Sequence, residues 1–331
     1  MASAKQFIER RDNVASIISF TRQVGRATRM KISSALSLSW ACVSDLVAGL
    51  IEDRVLIESA SGAGQTESRG RTPIYLALND EKYFLGVDIN DSGIAVSVLG
   101  MSGRLLNSKK WEPEVFETTD ALTKSVIDKI QQMLTSVEDC CGIGVAMEGV
   151  HSDDGWCYPI GSDYVEYNPY TVIKSHFDLP VFARHDPECM LYALGDEAFD
   201  DCMLLRIDNE IGSAVMKRGE ILDFPLELGR VRYGKKKLRH LFKAYFGEGK
   251  MGDGAEFGEA LGCSVGNLMS MLGLYRVFVV GEIVDWFDGI SNDFDTALKS
   301  VGADFSYEVR RIMDASEGAA RLAMSKYPIL K

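Results

Sequence analysis

The sequence predicts an α/β protein that carries a smaller, mostly helical segment at its N-terminus. Apolar runs of strand length at 84–89, 142–147 and 277–281 alternate with stretches of helical spacing, which is the pattern of an α/β body. Residues 28–50 instead indicate two short helices in succession. With 331 residues, 46% of them apolar, the chain can bury a large core, and we expect two or three domains.

The two short helices are marked by their capping residues and by one break. Thr28 and Ser39 each offer a hydroxyl at a helix start, and Ser37 lies in the turn between the helices. The predicted inward positions are Ile32, Leu36, Val43, Leu46, Val47 and Leu50. The predicted outward positions near the start of the second helix are Trp40, Ala41, Ser44 and Asp45. This is the pattern of a helix-turn-helix, which presents its second helix to the major groove; a helical hairpin that binds nothing is the alternative.

A candidate wing follows the helix pair. Residues 55–57 and 74–78 are strand-like, and the Gly- and Ser-rich stretch 59–72 between them ends in Arg69-Gly70-Arg71. A glycine between two arginines suits a narrow minor groove, where the negative potential is strongest; an ordinary hairpin tip is the alternative. A helix is also predicted over 13–24. The order of this helix, the helix pair and a wing indicates a DNA-binding domain more specifically than any one of these parts. The residues predicted to contact DNA are Arg26, Thr28, Arg29, Lys31, Ser39, Trp40, Ser44, Arg69 and Arg71.

The charge distribution fits a DNA contact confined to this head, defined as residues 1–80. The whole chain has a net charge of −12, which argues against a protein coated in nucleic acid. Residues 1–79 nevertheless carry a net charge of +3, and the remainder of the chain carries −15. A mildly basic head on an acidic body would favour DNA at the head and discourage it elsewhere.

The cysteines and the apolar runs indicate the compartment. The seven cysteines form no CxxC pair, and no secretory signal opens the chain. No apolar run reaches the ~18–20 residues that a membrane helix needs. We therefore expect a cytoplasmic protein with reduced thiols and no membrane partner.

Several motifs in the body resemble those of the ROK family (repressors, open reading frames and sugar kinases). The matching segments are Gly86-Val87-Asp88-Ile89, Pro180-Val181 before His185-Asp186, Ile211-Gly212-Ser213-Ala214, Leu226-Glu227-Leu228-Gly229-Arg230, Val279-Val280-Gly281 and Glu317-Gly318-Ala319-Ala320. With the winged head, the resemblance covers the chain from about Asn13 to Ala323. It implies a winged helix-turn-helix followed by two actin-like (ribonuclease H-like) α/β lobes around a cleft.

The resemblance also implies a domain division and a function. We expect a head at 1–80, a first lobe at 81–190 and a second lobe at 191–307, with a C-terminal helix at about 308–331 packing on the first lobe. Family members with such a head are sugar-responsive repressors, and those without it are sugar kinases. The expected protein is a transcriptional repressor, a homodimer or a dimer of dimers, bound to a double-stranded DNA operator. A ligand-free DNA-binding scaffold is an alternative.

The kinase motifs are altered in ways that argue against phosphoryl transfer. The family's first phosphate loop reads Asp-Ile-Gly-Gly-Thr, whereas this chain has Asp88-Ile89-Asn90-Asp91-Ser92. Both glycines are lost, and Asp91 would repel phosphate oxygens. The second phosphate turn, Asn209-Glu210-Ile211-Gly212, also carries an acid. Asp186 keeps the position of the catalytic base, but we expect no enzyme activity; a divergent ATP-dependent sugar kinase is the alternative.

The residues for the family's zinc site are missing as well. Arg230 stands at the position of the histidine ligand, and no cysteine lies between it and Cys263. A guanidinium does not bind zinc and one thiol cannot complete a tetrahedral site, so we expect no metal and no cofactor.

The resemblance places an effector site at residues that the chain keeps in part. Asp186 and Glu227 are retained, while His185 and Arg230 replace an asparagine and a histidine. The two carboxylates suit the hydroxyl groups of a sugar. The cationic replacements would favour a sugar acid or a phosphosugar, and the other alternative is that these groups pair among themselves without a ligand.

Overall fold

The computed structural model describes residues 4–59, 73–90, 93–136, 138–147, 150–152, 155–160, 163–195, 201–208, 210–222, 226–246, 254–312 and 314–327. Within these residues, no helix combines the length and the apolar character that crossing a bilayer requires.

The head consists of helices followed by a β-hairpin. Its elements are α1 (Ala4–Val24), α2 (Arg29–Leu36), α3 (Trp40–Glu52), β1 (Leu56–Ser59) and β2 (Tyr75–Leu78). The two strands pair antiparallel, from Leu56 opposite Leu78 to Ser59 opposite Tyr75. Helix α1 begins at Ala4 and not at the predicted Asn13. The polar residues before Asn13 are mostly Lys, Gln, Glu and Arg, which are good helix formers, and the helix therefore extends over them.

The first half of the body is built on one sheet. Its elements in chain order are β3 (Tyr83–Asn90), β4 (Gly93–Gly100), β5 (Leu105–Trp111), α4 (Thr119–Met133), β6 (Cys140–Met147), β7 (Val150–Ser152), β8 (Gly155–Ile160), β9 (Asp163–Glu166), α5 (Pro169–His176) and β10 (Val181–His185). The strands lie in the order β5, β4, β3, β6, β10, and β7 to β9 form a separate small sheet.

The second half repeats this arrangement. Its elements are α6 (Asp186–Ala193), β11 (Cys202–Ile207), β12 (Ile211–Lys217), β13 (Glu220–Ile221), β14 (Arg232–Tyr233), β15 (Lys236–Lys237), α7 (Leu238–Phe246), α8 (Gly254–Leu272), β16 (Arg276–Val280), α9 (Ser291–Val301), β17 (Ser306–Val309) and α10 (Ser316–Lys326). The main sheet has the order β13, β12, β11, β16, β17. When only the strands of each main sheet are numbered, in chain order, both sheets run third, second, first, fourth, fifth. This duplicated topology confirms the predicted pair of α/β halves.

The final helix starts later than predicted. Residues 306–309 form β17, which pairs parallel with β16, so α10 begins at Ser316 and not near 308. The pairing explains the difference, because Tyr307 and Val309 pack against the apolar core of the second half.

The chain divides into two compact units. The first contains Met1–Val145, Gly149–Ala183 and Ala319–Lys331, and the second contains Ala146–Glu148 and Arg184–Gly318. The head belongs to the first unit and shares one hydrophobic cluster with β3, β4 and α10. This head–body cluster includes Ile17, Leu46, Leu56 and Leu76 from the head, Phe84, Leu99 and Met101 from the body, and Ala320, Ala323, Met324 and Tyr327 from α10 or directly after it. The division into three domains with a separate head stays a prediction.

Candidate DNA interface and candidate effector site

The two helices of the predicted helix-turn-helix have the predicted caps. The Thr28 hydroxyl accepts a hydrogen bond from the backbone N–H of Lys31 at 3.2 Å, and the Ser39 hydroxyl accepts one from Cys42 at 3.2 Å. Ser37 lies between the helices in the left-handed conformation, with φ 55° and ψ 32°. Serine tolerates this conformation less well than glycine, so the tight turn is held by the packing of the helices on each side.

The helix pair buries five of its six predicted inward positions, leaves Leu36 half-buried and exposes the start of α3. Ile32, Val43 and Val47 are fully buried, and Leu46 and Leu50 are nearly so. Trp40, at the first position of α3, is 58% exposed, and Met30, in the first turn of α2, is 72% exposed. Exposed apolar surface can mark a site of interaction with a partner. The exposed end of α3 is therefore the part of the head best suited to recognition.

Two of the predicted phosphate-contacting arginines have partners inside the head. Arg29 forms an ion pair with Glu58 at 3.1 Å, and its side chain is only 23% exposed. The guanidinium of Arg26 lies 5.1 Å from the centre of the Tyr75 ring. Both contacts tie the start of the helix pair to the hairpin, since Glu58 belongs to β1 and Tyr75 to β2. Lys31 is exposed to solvent on the same segment.

An unpredicted ion pair lies on α3, the predicted recognition helix. Arg10 of α1 donates to the carboxylate of Asp45 at 2.8 Å, and both side chains are mostly exposed. Asp45 lies on the outer side of α3, where a free carboxylate would repel DNA phosphates. Arg10 compensates that charge. The pair was missed because it joins residues far apart in sequence and because the segment around Arg10 was not expected to be helical.

The predicted wing is described only at its base. β1 and β2 form the expected hairpin, and the backbone of Leu76 exchanges hydrogen bonds with Ala27 just before α2. Arg69 and Arg71, predicted to enter the minor groove, lie outside the described residues.

In the second compact unit, the predicted relic base is held by an arginine. Asp186 is 2% exposed at the start of α6, and Arg206 of β11 forms an ion pair with its carboxylate. Arg206 also pairs with Asp208, which accepts a hydrogen bond from the backbone N–H of Glu282 at 2.5 Å. The His185 Nδ1 atom lies 3.2 Å from the other oxygen of Asp186. The guanidinium thus bridges two carboxylates inside the unit.

Arg206 could have been found from the sequence. It is the one charged residue in the strand Cys-Met-Leu-Leu-Arg-Ile, which is buried throughout. A charge within a buried strand needs an oppositely charged partner, because an unpaired charge is too costly to bury. The sequence pattern therefore indicated a buried ion pair, although it did not indicate the partner.

The other two predicted effector residues form their own pair. Arg230 lies 3.5 Å from Glu227, and their side chains are 61% and 53% exposed. They lie on a short turn that packs beside Ile211 of β12. At the next residue of β12, Gly212, an added Cβ would lie 3.0 Å from Pro187 of α6. Pro187, which follows Asp186, therefore lies beside Gly212 of β12. The Glu227–Arg230 turn lies beside Ile211, the neighbouring residue of the same strand.

The altered phosphate motifs are only partly described. Asp88 is 1% exposed at the end of β3, and the amide of Asn90 donates to its carboxylate at 3.0 Å. In the second motif, Glu210 forms an exposed ion pair with Lys243 at 3.3 Å. Asp91, Ser92 and Asn209 lie outside the described residues.

The position of the family's zinc site holds unsuitable groups. Arg230 is paired with Glu227, and burial raises the pKa of the Cys263 thiol, with a further increase from the Glu259 carboxylate. A raised pKa disfavours the thiolate that zinc binds. In the described part of the chain, no three His, Cys, Asp or Glu side chains group as metal ligands. The absence of zinc stays a prediction.

In this chain a helical head with a β-hairpin precedes a duplicated α/β body. Among solved structures, the chain is similar to a ROK family transcriptional regulator described as a homologue of the E. coli MLC protein, with a TM-score of 0.74 and 15% identity over 96% of this chain and 97% of that one. It also resembles a sugar kinase from Cytophaga hutchinsonii, with a TM-score of 0.57 and 17% identity over 73% of this chain and 99% of the kinase.

Among curated proteins, the chain is 24% identical to a xylose repressor of Caldicellulosiruptor bescii over 181 residues. The match covers 53% of this chain and 44% of the repressor, so it spans less than half of that relative. No family model matches the chain. The structural comparison confirms the predicted fold, and together with the repressor it confirms the resemblance to ROK regulators.

Proposed function

We propose that this chain is a DNA-binding transcriptional regulator of the ROK type and that it acts as a repressor. The observation that carries the proposal is the exposed start of α3, where Trp40 is 58% exposed while the opposite face of the helix is buried. The net charge of +3 on residues 1–79 would attract DNA to this surface. The similarity to a repressor and to a ROK regulator supports the same assignment.

Binding of duplex DNA is tested by selection and by salt dependence. The full chain should enrich a defined sequence from a library of random duplexes. Lys31→Ala should then reduce the slope of log affinity against log salt by about one, because one phosphate contact is lost. The readout is fluorescence anisotropy over a range of salt concentrations.

The matched control is Lys124→Ala, which removes an exposed lysine from α4 in the body. It should leave both affinity and slope unchanged. Equal slopes for wild type and Lys31→Ala would show that Lys31 does not contact phosphate. Failure to enrich any sequence would contradict the proposed function.

We also propose that the body has lost phosphoryl transfer and binds an effector instead. The support is the ion pair between Arg206 and Asp186, since a carboxylate held by a guanidinium is a poor base for a sugar hydroxyl. His185, Asp186, Glu227 and Arg230 are the proposed contacts for a sugar, a sugar acid or a phosphosugar. The proposed assembly is a homodimer that presents two heads to one operator.

The body is therefore expected to be stabilised by a ligand of the sugar class and not by ATP with Mg²⁺. A thermal-shift screen of sugars, sugar acids and phosphosugars measures the first part, because a ligand that binds only the folded chain raises its melting temperature. Coupled detection of ADP measures the second, with an active ROK glucokinase as the positive control. Sugar-dependent ADP release would restore the kinase alternative, and no shift with any compound would favour a ligand-free scaffold.

A further inference from the structure

The composition of α3 restricts how the head can recognise a base. The helix reads Trp-Ala-Cys-Val-Ser-Asp-Leu-Val-Ala-Gly-Leu-Ile-Glu. It contains no Arg or Lys, which read guanine, and no Asn or Gln, which read adenine. If α3 enters the major groove, these direct hydrogen-bonding contacts to purines are unavailable to it. The remaining outward side chains near its start are Trp40, Ala41, Ser44 and Asp45.

Asp45 is an unsuitable reader in this structure. A carboxylate can accept a hydrogen bond from the amino group of cytosine. The carboxylate of Asp45 is instead engaged by Arg10 at 2.8 Å. Reading cytosine would require breaking that pair next to DNA phosphates, where Arg10 is needed to offset the negative charge. With Asp45 engaged, Trp40, Ala41 and Ser44 remain as the outward side chains near the start of α3 that could contact a base.

Trp40 is the dominant group among those positions. It is 58% exposed, and Ser44 lies one helical turn further along the same face. The major-groove edge of thymine differs from the other bases by its C5-methyl group, which is recognised by apolar contact. A large exposed aromatic ring at the start of a helix that contains no Arg, Lys, Asn or Gln matches that edge.

Resting on the proposed function, we propose that the head reads thymine in the major groove and that Trp40 determines this specificity by packing on the thymine methyl group. The preferred duplex would then carry thymine at the positions facing the start of α3. The net positive charge of the head would supply attraction to the backbone, and the apolar contact would supply the choice of base.

The experiment replaces thymine by deoxyuridine, which removes only the methyl group and keeps the base pair and the minor groove unchanged. The duplex enriched by the full chain is synthesised with deoxyuridine at one thymine at a time, and affinity is measured for wild type, Trp40→Ala and Trp40→Phe. Wild type should lose about fourfold in affinity at the critical position, as expected for one buried methyl group. Trp40→Ala should bind the thymine duplex more weakly and should be insensitive to the replacement, and Trp40→Phe should keep part of the sensitivity.

The outcomes separate this inference from the function on which it rests. Enrichment of a duplex whose thymines can all be replaced without loss overturns the inference and leaves DNA binding intact. Equal losses in wild type and Trp40→Ala also overturn it, because the methyl group would then be read elsewhere. If no duplex is enriched, the proposed function fails and the inference fails with it. Circular dichroism confirms that both variants are folded.

Discussion

Gly318→Ala is expected to destabilise the second compact unit strongly, although alanine is the better helix former. Gly318 lies in the first turn of α10, and a Cβ placed there would be 1.7 Å from the carbonyl oxygen of Cys189. The neighbour is backbone and cannot rotate away, so α6 and α10 would have to separate. Alanine gains at most ~1 kcal/mol in helix propensity, whereas overpacking typically costs ~1–3 kcal/mol, and a clash with backbone belongs at the upper end of that range. Urea denaturation followed by circular dichroism measures the loss.

Gly49→Ala provides the matched control. Gly49 also lies within a helix, α3, but nothing stands within 4 Å of the position that its Cβ would occupy. The helix-propensity gain is therefore unopposed, and the variant should be more stable by ~0.5–1 kcal/mol. If both variants were stabilised, the close approach of α10 to Cys189 would be wrong.

Arg206→Met is expected to cost ~3–5 kcal/mol in the free energy of unfolding, because removing one partner strands the other charge inside the protein. Asp186 is 2% exposed, and Arg206 is the cation paired with it. Methionine keeps much of the volume of the arginine. The decrease in the free energy of unfolding therefore reflects the unpaired charge more than lost packing. Chemical denaturation of the full chain at neutral pH measures it.

Two further variants assign the loss to this ion pair. Adding Asp186→Asn to Arg206→Met should recover part of the stability, since the stranded charge is removed. Lys299→Met, which breaks the exposed pair between Lys299 and Asp295 on α9, should change stability little. An Arg206→Met variant as stable as Lys299→Met would show that the buried pair is not formed.

Features set by neighbouring residues could be predicted from the sequence. The caps at Thr28 and Ser39 and the break between the helices at Ser37 depend on a few adjacent side chains, and the structure has all three. The strand runs of the body were also predicted, because a strand buried on both faces is apolar throughout.

Contacts between distant segments could not be predicted in the same way. Nothing near Asp45 indicates that Arg10 would reach it, and nothing near Asp186 indicates Arg206. Both contacts depend on how whole elements pack, which a single sequence does not report. The ion pair between Glu227 and Arg230 was likewise not predicted from the sequence, and their role as effector contacts stays a prediction.

The hydrophobic cluster shared by the head, β3, β4 and α10 bears on how the proposed dimer would meet its operator. Leu56 and Leu76 of the head share that cluster with Phe84 and Tyr327. The head therefore packs directly on the body and is not expected to move independently of it. In the proposed dimer, the bodies would then fix the distance between the two heads. Inserting half a helical turn of DNA at the centre of the operator would leave only one head able to bind its half-site. Transplanting this head onto another regulator would likewise require carrying the inner side of α10 along with it.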